Sequence, residues 1–106
     1  MSDVAQDPAL LAAVEDWHVR NRAALAGAGV VTTLRAASTN RDKNSTSIGF
    51  ETPGSLVEAV VWDSGEAEVI SANKHERGDP AVQVLNLPAV EDVTAMLDDL
   101  RAALLG

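Results

Sequence analysis

The strongest constraint on the fold is a hairpin pattern over residues 56–72. Residues 56–62, Leu-Val-Glu-Ala-Val-Val-Trp, are rich in the β-branched and aromatic side chains that are typical of strands. Asp-Ser-Gly follows at 63–65, and Gly65 suits a tight turn because glycine adopts positive φ without steric cost. Residues 66–72 form the returning strand. An isolated hairpin is only marginally stable in water, so other elements must cover it.

Helices are predicted on both sides of this hairpin in the chain. The first spans residues 8–26, because Asp7 is a good N-cap and Pro8 fits the first helical position. The second spans residues 89–104, where apolar residues follow a helical spacing along one narrow seam. The seam consists of Val90, Val93, Leu97, Leu100 and Leu104.

Further strands are predicted near residues 30–36 and 46–52, and a shorter pattern at 81–85 indicates a fifth. Apart from the fifth strand, consecutive strands are joined by segments that are too short for a crossover helix. This favours an antiparallel meander. The predicted fold class is α+β: one domain over residues 1–106, in two layers. A four- or five-stranded antiparallel meander sheet is covered by an N-terminal and a C-terminal helix.

The net charge of −8 is unevenly distributed along the chain. Residues 1–47 are neutral overall, whereas residues 48–106 hold eleven acidic residues against three basic ones. Such an acidic surface repels nucleic acid and anionic membranes, and it favours a basic protein partner. The alternative interpretation is that the acidity only maintains solubility.

The sequence predicts a cytoplasmic protein. It contains no cysteine, which excludes disulfides and thiolate metal sites and fits a reducing compartment. No apolar run reaches the roughly 20 residues needed to span a bilayer. The first residues, Met-Ser-Asp-Val-Ala-Gln-Asp-Pro, show neither the basic region nor the apolar core of a signal peptide.

The sequence contains no motif for catalysis, cofactor binding or metal binding, so no catalytic, cofactor-binding or metal-ligating residue is predicted. It has no P-loop, no H-E-x-x-H and no G-x-S-x-G. His18 lies beside the apolar positions of the first helix and is expected to be structural or partly exposed. His75 lies in a charged loop, and one histidine does not make a site.

Two segments resemble the TriTu family of bacterial immunity proteins. They are Ser-Ile-Gly-Phe-Glu at 47–51 and Val-Val-Trp-Asp-Ser-Gly-Glu-Ala-Glu-Val at 60–69. The resemblance covers roughly residues 45–104. It implies an antitoxin that binds and blocks a polymorphic toxin domain, such as an ADP-ribosyltransferase. An enzyme that binds a dinucleotide tends to carry a basic cleft, which an acidic protein complements.

The partner-binding surface is expected at the hairpin end and the neighbouring strands. A lone aromatic residue such as Trp62 is the obvious anchor, although such residues more often pack in the core under the helices. Carboxylates on a strand are more often a solvated face than a binding site. The candidate partner-binding residues are Glu51, Glu58, Trp62, Asp63, Glu66 and Glu68.

Two other classes of function stay open. A small acidic secretion chaperone would form a homodimer and hold an extended effector segment in an apolar groove. A small enzyme with paired carboxylates would hold a perturbed carboxyl group in a cleft. For an immunity protein, we expect a monomer or a weak homodimer whose partner is the cognate toxin domain.

Overall fold

The structure, a computed structural model, describes residues 7–38 and 44–105. Five strands form one sheet in the order β1-β2-β3-β4-β5, and each strand pairs antiparallel with the next. The predicted α+β fold, with a meander sheet and two terminal helices, is confirmed, and the fifth strand is present. The elements are α1 (Pro8–Gly27), β1 (Val31–Ser38), β2 (Asn44–Glu51), β3 (Ser55–Trp62), β4 (Glu66–Asn73), β5 (Ala81–Asn86) and α2 (Val90–Leu105).

The predicted polar loop between the first two strands is shorter than expected. Ser38 and Asn44 are paired across β1 and β2, as are Ala37 and Ser45. Backbone pairing in a hairpin needs no apolar side chain, so the polar sequence concealed these strand ends. The rest of the predicted loop, residues 39–43, lies outside the described residues.

The start of α1 is attached to the central hairpin. The Asp7 carboxylate accepts a hydrogen bond from the Ala9 N–H at 3.0 Å, which confirms the predicted N-cap. The Asp7 N–H donates to the Asp63 carbonyl in the turn between β3 and β4, at 2.8 Å. This contact fixes the helix start against the end of the sheet.

Trp17 lies at the centre of the core, where both helices meet the sheet. Its ring packs edge-to-face on Phe50 of β2, with centroids 6.0 Å apart and an angle of 80° between the planes. The buried indole N–H donates to the Asp98 carboxylate of α2 at 2.9 Å. One side chain therefore connects α1, α2 and β2.

Successive side chains point to opposite faces of the sheet. Both helices pack on one face, and neither helix covers the other. Ile48 and Phe50 of β2, and Ala59 and Val61 of β3, face the helices and are buried. We name the other side the open face. It consists of the odd-numbered residues of β1 and β2 and the even-numbered residues of β3, β4 and β5.

The buried seam of α2 makes a prediction about stability. Leu97 is fully buried in the core, so Leu97→Ala should lower the free energy of unfolding by about 2–5 kcal/mol. Leu105→Ala, at an exposed position of the same helix, is the matched control and should change it by less than about 0.5 kcal/mol. Urea unfolding measures both changes. Equal losses in the two variants would show that Leu97 is not part of the core.

The contact between α1 and β1 makes a prediction about pH. His18 Nε2 lies 2.9 Å from Thr32 Oγ1, and burial, with a smaller effect of Arg22, lowers the pKa of His18 below 6.5. The unfolded chain therefore binds this proton more readily than the folded chain does. The contribution of neutral His18 to stability is therefore complete above pH 6.5. It declines as the pH falls through 6.5 towards the lower pKa of the folded protein.

Substitution of the histidine tests this pH dependence. Thermal melts between pH 5 and 8 should show a smaller acid-induced decrease in Tm for His18→Gln than for the parent. Arg22→Gln should give an intermediate decrease, because it removes only the smaller cause of the shift. An identical decrease in parent and His18→Gln would exclude His18 as the source.

Candidate functional site

The open face collects five of the six predicted partner-binding residues. Glu51 lies on β2, Glu58 and Trp62 on β3, and Glu66 and Glu68 on β4. The alternation of side chains along adjacent strands places all five on the side of the sheet away from the helices. Residues that are up to 17 positions apart in the chain therefore share one surface.

The glutamates form an acidic cluster at the centre of this face. Glu58 pairs with Ile70 and Glu68 pairs with Val60, so the two glutamates are diagonal neighbours across β3 and β4. Such positions lie about 7–8 Å apart. Neither carboxylate has a hydrogen bond or an ion pair with another described residue. Glu51, in contrast, is paired with Lys74 at 2.6 Å.

Apolar side chains surround these carboxylates, and the sequence analysis did not include them in the site. Trp62, Val60 and Ile70 are half-buried on the open face. The sequence did contain a signal for these side chains. Residues 56–62 include apolar residues on both faces of the strand, whereas a sheet that is covered on one side needs them only on that side. The exposed large apolar residues of this face are Val31, Leu56, Val82 and Val84.

A hollow of about 420 Å³ lies on the open face above Gly49. Gly49 is paired with Thr33 on one side and Glu58 on the other, and a Cβ atom there would come no closer than 3.9 Å to any neighbour. The missing side chain therefore leaves space in the middle of the sheet. The walls include Arg35, Leu56, Glu58, Ile70 and Pro80.

Trp62 lies on the open face and is half-buried there, so it does not pack under the helices. Its neighbour across the sheet is Ser45, a small residue. The expectation of a core residue under the helices is therefore wrong, and the role of Trp62 as an anchor stays a prediction.

Asp63 differs from the other five candidates, because it lies on the side of the helices. Only 4% of its surface is exposed. The carboxylate accepts a hydrogen bond from the Asn44 N–H at 3.2 Å, and the Asp63 N–H donates to the Asn44 carbonyl at 3.0 Å. The expectation of an exposed acid at the hairpin end is therefore wrong for Asp63. As the first turn residue after β3, it continues the alternation of the strand towards the core.

The turn itself is formed as the sequence predicts. Gly65 has φ of +94° and its N–H donates to the Trp62 carbonyl at 3.0 Å, closing a three-residue loop. The Gly65 carbonyl accepts from the Leu87 N–H, which joins this turn to the end of β5. A Cβ atom at Gly65 would lie 3.3 Å from the Leu87 carbonyl, so glycine is required here by conformation and by space.

No family model, curated protein or solved structure matches this chain. The resemblance to the TriTu family therefore stays a prediction. Within residues 7–38 and 44–105, no helix is long and apolar enough to cross a membrane. The same residues contain no group of three or more histidine, aspartate or glutamate side chains placed to hold a metal ion.

The position of Asp63 makes a prediction that separates structural from binding carboxylates. Asp63→Ala should destabilise the fold by about 1–3 kcal/mol, because it removes the buried carboxylate that accepts a hydrogen bond from the Asn44 N–H. Asp63→Asn keeps an acceptor oxygen and should cost less. Urea unfolding measures both, and a change of less than about 0.5 kcal/mol in Asp63→Ala would show that the hydrogen bond contributes little.

Proposed function

We propose that this protein is an immunity protein that neutralises a bacterial toxin domain by binding it with the open face of the sheet. The observation that carries the proposal is the composition of that face. Glu58 and Glu68, which have no partner among residues 7–38 and 44–105, lie among exposed and half-buried apolar side chains that neither helix covers. Exposed apolar surface that lies next to polar or charged side chains is typical of protein-binding surfaces.

The two kinds of side chain have different roles in the proposed complex. Buried aromatic and aliphatic anchors hold a complex together, and the open face offers the half-buried Trp62 and, further along the sheet, the hollow at Gly49. Charged groups steer the encounter and select the partner. The acidic cluster therefore favours a basic surface, of the kind that surrounds a cleft for a dinucleotide or another phosphate-bearing substrate.

An immunity gene is expected to follow the gene of its toxin directly, so the proposal is tested with the C-terminal domain encoded by the gene directly before this one, which we expect to be the toxin domain. Co-expression should restore growth of cells that produce the toxin domain, and calorimetry with the purified proteins should give one complex of defined stoichiometry. A toxin domain from an unrelated system is the control for specificity. Absence of both binding and protection would overturn the immunity function.

Charge reversal on the open face makes a prediction about affinity. The double variant Glu58→Lys and Glu68→Lys should weaken binding to the toxin domain by at least about tenfold, since close charge pairs across an interface contribute more than 1.4 kcal/mol. The matched control reverses Glu15 and Glu91, which are exposed acids on the two helices. It changes the net charge equally and should bind nearly as the parent does.

Salt and stability complete this test. Association of the parent should slow as ionic strength rises, because the Debye length falls from about 10 Å at 0.1 M to about 3 Å at 1 M. Thermal melts must show that both double variants remain folded. Equal affinity of the open-face and helix variants would remove the acidic cluster from the interface. Asp63 is not part of this set, because its carboxylate is a structural acceptor.

The hollow above Gly49 favours a second candidate function, a secretion chaperone. It is an apolar depression of the size that holds side chains of an extended effector segment. The chaperone function also requires a homodimer, so sedimentation distinguishes the two functions. A stable dimer that binds an effector segment, together with no protection against the neighbouring toxin, would support the chaperone.

A further inference from the structure

The outer edge of β5 presents backbone groups that none of the other strands in the described part of the chain uses. The Leu87 N–H donates to the Gly65 carbonyl at 2.6 Å, which makes 65 and 87 a hydrogen-bonded pair at the end of the β4–β5 ladder. Hydrogen-bonded pairs alternate along an antiparallel ladder, so residues 81, 83 and 85 also bond inwards to β4. The N–H and C=O groups of Val82 and Val84 therefore point outwards from the sheet.

β5 lacks the features by which edge strands avoid pairing with other chains. Its six residues, Ala-Val-Gln-Val-Leu-Asn, include no charged residue and no proline. The side chains of Val82 and Val84 are 58% and 72% exposed. Uncharged edges with exposed apolar side chains are templates for an additional strand. The opposite edge, β1, carries Arg35 on its open face, a charge that discourages such pairing.

A groove on the helix side runs beside the same edge. It has a volume of about 320 Å³, with Gln83 and Leu85 of β5 on one wall and Met96 and Leu100 of α2 on the other. Successive side chains of a strand point to opposite faces. A strand added to β5 would therefore place alternate side chains over this groove and the remaining ones beside Val84 on the open face.

The charges around this edge distinguish between possible occupants. Asp92 and Asp99 line the groove, which contains no basic residue. On the other side of the sheet, Glu66 and Glu68 lie next to β5, opposite Asn86 and Val84. A second copy of this chain would bring further acids to an acidic edge, whereas a strand with lysine or arginine side chains complements it.

We propose that β5 receives an extended, basic segment of the protein partner as a sixth strand of the sheet. The free N–H and C=O groups of Val82 and Val84 form the backbone ladder, and the acids on both faces select basic side chains. This inference rests on the proposed function for the identity of the partner. It adds a binding mode and a segment chemistry that the open face alone does not specify.

Proline at position 84 tests the backbone ladder. Val84→Pro removes an outward N–H and leaves the bonds to β4 intact, because proline is tolerated on edge strands whose N–H faces solvent. It should weaken binding to the toxin domain by about fivefold or more, because one backbone hydrogen bond is lost and the carbonyl of the partner that accepted it is left unsatisfied. Val84→Thr is the matched control: it keeps the N–H and the β-branched shape and should bind within about threefold of the parent.

Hydrogen exchange measures the same backbone contact of β5 without any substitution. In the free protein, the amides of Val82 and Val84 should exchange fast, and those of Gln83 and Leu85 should be protected by β4. In the complex with the toxin domain, the first two should become protected as well. A folded Val84→Pro variant that binds like the parent, or amides at 82 and 84 that stay unprotected in the complex, would overturn the proposal.

A peptide probe separates this inference from the immunity function. The acetylated and amidated heptapeptide Lys-Val-Lys-Val-Lys-Val-Lys should shift the amide resonances of β5 in the parent and not in Val84→Pro. The same peptide with glutamate for lysine should not bind, and equal binding of both peptides would overturn the charge selection.

Binding of the basic peptide without binding of the neighbouring toxin domain would refute the immunity function and leave the edge site supported. A parent that sediments as a dimer while Val84→Pro is monomeric would show that a second copy occupies the edge, contrary to the proposal.

Discussion

The position of Trp17 determines which face of the sheet is covered. Its ring packs on Phe50 of β2 and its indole N–H donates to Asp98 of α2, so both helices are held on one side of the strands. A buried indole needs a hydrogen-bond partner, and the acid on α2 supplies it. With 62 residues between them in the chain, α1 and α2 come together through this side chain and the core around it.

Coverage by two helices on one side leaves the other side of a five-stranded sheet to solvent. A sheet in that situation usually shows polar side chains on its outer face. Here the outer face carries Leu56, Val60 and Trp62 along a single strand, in addition to glutamates. These apolar side chains contribute nothing to the packing beneath the helices. The proposal of a surface that binds another molecule rests on these side chains.

The fold could be predicted from the sequence because its signals are local. The N-cap at Asp7, the glycine turn at 65 and the seam of the last helix each depend on a few adjacent residues, and the structure has all three. The site was predicted less completely. Alternation along β3 does not reveal which of its two apolar faces the helices cover, so Trp62 had two possible surroundings. Asp63 was misjudged because its burial depends on Asn44, 19 positions earlier.

The structure also divides the acidic residues by what they contact. Asp98 accepts from Trp17, Asp92 accepts from the Ala89 N–H at the start of α2, and Asp63 accepts from Asn44. Each of these carboxylates has a local structural purpose. Glu58 and Glu68 have no such contact in the described chain, and glutamate is a poor strand former at the centre of a sheet. Acids on the helices or in the loops would maintain solubility equally well, and they would not destabilise a strand. The position of Glu58 and Glu68 at the centre of an apolar face is therefore the observation on which the proposed recognition of a basic partner rests.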